Sequence, residues 1–94
     1  MNHDEARKIA VAHITMLGQK WGVDLALLEG RTIERAFGWV FFYDSTRHIA
    51  SGSIRDKVAG NAPIIVTRSD GVVHETGTAH PIEYYIDEFE RTRS

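Results

Sequence analysis

The chain has 94 residues, which is enough for one domain over 1–94 with a modest core and little left for a deep cleft. A hydrophobic share of 43%, a charged share of 26% and a net charge of −2 exclude a disordered chain and a strongly charged one. Lysine and arginine are scattered without a block or stripe, which argues against a nucleic-acid partner. The longest apolar runs, Trp39-Val40-Phe41-Phe42-Tyr43 and Ala62-Pro63-Ile64-Ile65-Val66, are far too short to span a bilayer. There is no cysteine, so disulfides, thiolate nucleophiles and cysteine-based zinc sites are excluded, in keeping with a reducing compartment. The opening Met1-Asn2-His3-Asp4-Glu5 carries carboxylates where a secretory leader has basic residues. A cytoplasmic location is expected.

Along the chain, 4–20 has the pattern of an amphipathic helix: Ala6, Ile9, Ala10, His13, Ile14 and Leu17 recur at helical spacing. Asn2 or Asp4 can cap its start, and Gly18 or Gly22 marks its end. His13 is expected to pack at the helix edge. From 23 to 44 the pattern becomes strand-like. Leu25 and Leu27 alternate with their neighbours, Glu29-Gly30-Arg31 reads as a bend, and 32–37 looks like a half-exposed strand. After Gly38 comes Trp39 to Tyr43, apolar on both faces, as in the centre of a sheet.

The stretch 44–61 is irregular and longer than a typical connection, with a short helical turn expected near 54–59. Pro63 then starts a strand, where its missing N–H does least harm. Ile64 to Arg68, Ser69-Asp70-Gly71 and Val72 to Thr76 form a β-hairpin with Asp-Gly in the turn. A last helix follows Gly77, with Pro81 in its first turn and an apolar stripe of Ile82, Tyr85, Ile86 and Phe89. The order is α-β-β-β-β-α. It implies an α+β domain: a four-stranded antiparallel sheet with the N-terminal and C-terminal helices packed on one face.

That arrangement leaves a difficulty. Side chains alternate along a strand, so Trp39, Phe41 and Tyr43 share one face while Val40 and Phe42 share the other, and Ile65 opposes Ile64 and Val66 in the same way. With both helices on one face, the other needs a cover. The 44–61 segment, a second copy of the chain in a homodimer, and a different protein are the three candidates.

Motifs for chemistry are scarce. The histidines His3, His13, His48, His74 and His80 show no metal-ligand spacing; His74 and His80 flank a strand end, but two histidines without a third ligand make a poor zinc site. Ser45, Ser51, Ser53 and Ser69 lie in no nucleophile motif, and no phosphate-binding glycine loop is present. No catalytic residue, metal or cofactor is expected, and the chain does not read as an enzyme. Glu83, Asp87 and Glu90 line one side of the last helix at i, i+4 and i+7. They form a solvated face or a contact for a basic partner.

Three segments, Trp39 to Tyr43, Ala59-Gly60-Asn61-Ala62-Pro63 with Ile64 to Val66, and Gly77-Thr78-Ala79-His80-Pro81-Ile82-Glu83-Tyr84-Tyr85, resemble the immunity protein 35 (YrhB-like) family of small bacterial proteins. The resemblance covers roughly 37–89, and the N-terminal helix matches in pattern. It implies a cytoplasmic immunity protein, usually encoded beside a secreted toxin or effector, that binds and neutralises its cognate toxin by stoichiometric occlusion. A holdase-like chaperone that shields unfolded proteins with the second sheet face is the alternative. The shared residues are of turn, core and cap type. The partner surface is therefore expected beside them, at Tyr43, Arg47, His48, Arg55 and Asp56, with the Glu83, Asp87 and Glu90 stripe second.

Overall fold

A computed structural model describes residues 1–58 and 60–93; Ala59, at the head of the Ala-Gly-Asn-Ala-Pro motif and the end of the expected helical turn, lies outside them. Helix α1 spans His3–Trp21. Its start is a reciprocal capping box: the Asn2 side chain accepts from the Glu5 N–H at 2.9 Å and the Asn2 N–H donates to the Glu5 carboxylate at 3.1 Å. It ends at Gly22, whose N–H returns to the Gly18 carbonyl. Strands β1 (Leu25–Leu27), β2 (Ile33–Arg35), β3 (Gly38–Phe41) and β4 (Tyr43–Ser45) follow, then short α2 (Thr46–Ser51), β5 (Ile64–Thr67), β6 (Val73–Glu75) and α3 (Ile82–Arg93). The α+β class holds, and β2-β3-β5-β6 form the expected four-stranded antiparallel sheet. The Asp70-Gly71 turn joins β5 to β6 as anticipated.

The run Trp39 to Tyr43 is not one strand. Val40 pairs with Ile33 on one side and Ile65 on the other, but past Phe42 the chain changes partners, and Tyr43 pairs with Leu27 in a separate two-stranded sheet of β1 and β4. The alternation survives the break. Trp39, Phe41 and Tyr43 join Ile64 and Val66 under α1, which approaches closely because Ala6 and Ala10, both 0% exposed, face the sheet.

The helices do not share a face. Val40 and Ile65 pack with Ile86, flanked by Ile33, Phe37, Ile82 and Phe89, so α3 covers the side of the sheet opposite α1. The expected one-face packing is corrected, and so is the expectation that the 44–61 segment, a second copy or another protein roofs the second face. The stripe of Ile82, Ile86 and Phe89 meets apolar groups that point away from α1, and burying both stripes removes the most apolar area from water.

Two glycines enforce this layering. Gly38 has φ 151°, and a Cβ there would lie 2.1 Å from the Val66 carbonyl oxygen, so only glycine permits the close β3–β5 pairing. At Gly77 a Cβ would fall 2.6 Å from the Tyr85 hydroxyl. The glycine of the Gly-Thr-Ala-His-Pro motif thus lets α3 fold back against its own entry.

Ile86→Ala should cost about 2–4 kcal/mol in urea denaturation, as expected for a core residue; a loss under about 0.5 kcal/mol would place α3 off the sheet. Gly77→Ala should destabilise by about 1–3 kcal/mol. Tyr85→Phe in the same background should recover most of that, and a double-mutant cycle showing no coupling would contradict the contact.

Candidate functional site

The stretch after β4 is a built lobe, not a loose connection. Its centre is Asp44, which is 0% exposed. Its carboxylate accepts from Lys57 Nζ at 2.8 Å, the Val58 N–H at 2.9 Å, the Ser45 N–H at 2.8 Å and Asn61 Nδ2 at 3.3 Å. Asn61 Nδ2 also donates to the Tyr43 carbonyl at 2.8 Å. One side chain at the end of a strand therefore gathers both ends of the segment that follows. Burial pushes the Asp44 carboxyl up, but the bonds from Lys57, Val58 and Ser45, with the Lys57 charge, outweigh it and hold the group below the ordinary aspartate range.

A second layer of bonds shapes the lobe above Asp44. Ser45 caps α2 by accepting from the His48 N–H at 3.0 Å, and its hydroxyl donates to the Asp56 carbonyl. His48 Nδ1–H donates to the Ser53 carbonyl at 2.8 Å, and the Ser51 hydroxyl donates to the Asp56 carboxylate at 2.8 Å. Gly52 closes α2 in the left-handed conformation, and a 3-10 turn occupies Ile54–Asp56, where a helical turn was expected. The serines of this stretch, which read as period breakers in the sequence, are its hydrogen-bonding framework.

The expected contact residues divide into three groups. Tyr43 is 3% exposed within the α1-side core, and burial, reinforced by the Glu75 charge, pushes its phenol up to about 12; it supports the lobe and offers no surface. Arg47 and Arg55 are exposed on the lobe, while His48 and Asp56 are partly buried and engaged in its framework. Glu83, Asp87 and Glu90 are exposed on α3, away from the lobe's own bonds. His74 and His80 go to different rings: His74 meets Phe89 edge-on at 5.1 Å, and His80 stacks on Tyr84 at 4.0 Å. Among the described residues no group of three or more histidine or acidic side chains is placed to hold a metal ion.

Two features escaped sequence reasoning. Asp44 looked like a mere strand boundary; the signal was a charged residue directly continuing an apolar run, with Lys57 and Asn61 downstream. Ile54 is 82% exposed and Ile49 44% exposed, so the lobe carries apolar groups in water on a hydrogen-bonded frame, beside Arg47 and Arg55. Their exposure has no sequence signal, because an isoleucine in an irregular stretch usually packs inward.

Because Asp44 titrates below its unfolded value of about 3.9, its contribution is fully present above that range and is lost as pH falls through the folded-state value. Urea stability measured from pH 6 downward should decline in that acid window, and Asp44→Asn should flatten the decline. Asp44→Ala, which orphans two backbone donors and the Lys57 ammonium, should cost about 3 kcal/mol. Lys57→Ala should cost less, since that side chain is 48% exposed. Equal losses for the two variants would contradict the central place of the carboxylate.

The match to known proteins covers nearly the whole of this architecture. Immunity protein 35 matches residues 4–88, from the first turn of α1 into α3. A protein of Escherichia coli (strain K12), named uncharacterized protein YrhB, is 36% identical over 53 residues, which is 56% of each chain. The matched part thus spans little more than half of that relative's length. No solved structure matches significantly. No helix among the described residues is long and apolar enough to cross a membrane. With 4–88 matched, the chain belongs to the immunity protein 35 family.

Proposed function

We propose that this chain is a cytoplasmic bacterial immunity protein that binds a cognate secreted toxin and neutralises it by stoichiometric occlusion. The observation that carries the proposal is the family match over residues 4–88. The structure supports a binding role. Asp44 spends its charge on holding the lobe, and the high-pKa phenol of Tyr43 is a core group, so the two most environment-shaped groups of this region serve architecture. A rigid lobe also loses little further conformational freedom on association.

The proposed contact surface is the lobe: Arg47, His48, Arg55 and Asp56, now with Ile49 and Ile54 as its apolar centre. Arginine and apolar anchors surrounded by polar groups are the composition of binding hot spots. Glu83, Asp87 and Glu90 on α3 supply the second surface, suited to a basic region of the partner. The holdase alternative loses support, since the sheet face it required lies under α3.

The product of the neighbouring gene should co-purify with this chain, and the chain should rescue cells that express it; neither binding nor rescue would sink the proposal. Ile54→Asp should leave folding stability within about 0.5 kcal/mol and weaken toxin binding at least about tenfold. Full affinity in that variant would remove the lobe from the interface.

A further inference from the structure

The four-stranded sheet ends in two edges, β2 and β6, and the chain treats them differently. At β2, arginines cover the edge. Arg35 Nη1 donates to the Glu34 carbonyl at 3.1 Å, and the Arg68 guanidinium donates to the Arg35 carbonyl at 2.9 Å and the Ala36 carbonyl at 3.3 Å. Glu34 and Arg35 also stand exposed there, so charge guards this edge against a further strand.

The β6 edge is open. Bonds at its two ends fix the phase of the strand: the Thr67 N–H donates to the Val72 carbonyl and the Thr76 N–H to the Pro63 carbonyl, both at 3.1 Å. Residues 72, 74 and 76 therefore turn their backbones towards β5, and alternation turns those of Val73 and Glu75 outward. The outward N–H and C=O groups of these two residues meet no partner among the described residues. We infer that the toxin adds an extended segment to β6 as a fifth, antiparallel strand and seats one apolar side chain of that segment beside α3. The inference rests on the proposed toxin-binding role and names the kind of contact.

Unpaired main-chain groups in strand geometry are satisfied by another extended backbone, and a neighbouring pocket then selects its side chains. Two residues of the incoming strand exchange bonds with Val73 and Glu75, and the residue between them lies opposite His74. Side chains directly opposite share a face, and His74 faces α3, meeting Phe89 edge-on at 5.1 Å. On that side a groove of about 280 Å³ runs between β6 and α3, with Ile65, Tyr85 and Phe89 among its lining. Glu75 turns its carboxylate to His13 of α1, at 3.0 Å on the opposite face, so towards the groove it offers backbone. The side chain that fits there is apolar. A second copy of this chain fits the edge less well. Pairing β6 with β6 would set two α3 helices side by side, each with four carboxylates against two arginines, and like charges across an interface disfavour it.

Amide hydrogen exchange followed by NMR tests the inference on the intact chain, alone and with the product of the neighbouring gene. Alone, the Val73 and Glu75 amides should exchange freely while His74 is protected. In the complex both should be slowed at least about tenfold, and the Tyr85 and Phe89 ring resonances should shift. Glu75→Pro removes one outward N–H at an edge position that tolerates proline, and should weaken binding at least about tenfold. Glu75→Ala removes the same carboxylate but keeps the N–H, and should change affinity less than about threefold. Equal losses would assign the effect to the side chain and overturn the inference. Should the proline variant not fold, the exchange measurement on the wild-type chain still decides. Binding that leaves both amides unprotected, or both rings unshifted, overturns the inference and leaves the immunity proposal standing. Protection in the free chain that grows with its concentration would give the edge to a second copy and overturn it as well. If the wild-type chain binds no toxin, the immunity proposal fails and the inference falls with it.

Discussion

The rest of the structure follows from the two-sided character of β3 and β5. Trp39, Phe41, Ile64 and Val66 project to one side, Val40 and Ile65 to the other, and all six are at most 1% exposed. Each such side chain left in water would cost roughly 1.5–3 kcal/mol, so neither face can stay open in a chain this small. Two helices carry apolar stripes, and the solution is one per face. This engages the apolar stripe of each helix and both faces of the sheet. The lobe after β4 and the outer side of α3, the contact surfaces proposed above, stand outside the sandwich.

The lobe exists because the chain must leave the sheet edge at Tyr43 and return at Ile64. A long excursion of that kind is ordinarily mobile. Asp44 prevents this by accepting from both ends of the excursion at once. A buried carboxylate is costly unless it is paired and hydrogen-bonded, and a buried ion pair is weak evidence for net stability. Its value here is in specificity, since one arrangement of Lys57, Val58 and Asn61 satisfies it. The result is a hydrogen-bonded frame on which Ile54, Arg47 and Arg55 stand exposed, and a frame already ordered would lower the entropic cost of the proposed contact.

Much of this was legible in the sequence. The helical spacing of Ala6, Ala10, Ile14 and Leu17 located α1, Asp70-Gly71 located the hairpin, and the alternation of Trp39 to Tyr43 gave the division of side chains between faces. The placement of α3 was not legible. The spacing of Ile82, Ile86 and Phe89 says that the helix has an apolar side, but not which side of a two-faced sheet it meets. That choice is made by the short passage through Gly77 and Pro81, whose geometry depends on the Tyr85 contact. Asp44 was hidden for a related reason: its four partners lie up to 17 positions downstream, and nothing local marks a carboxylate as buried. Tyr43 was misjudged because a tyrosine at a strand end looks like a contact residue until the core under α1 is seen to bury it.

The family match and the built lobe together make one claim, that this protein acts by occupying its partner. Titrating the activity of the neighbouring gene's product with increasing amounts of this chain tests that claim most directly. Occlusion predicts a linear fall in activity that reaches its floor at one equivalent. Inactivation of many equivalents by one molecule of this chain, or full activity at several-fold excess, would contradict it.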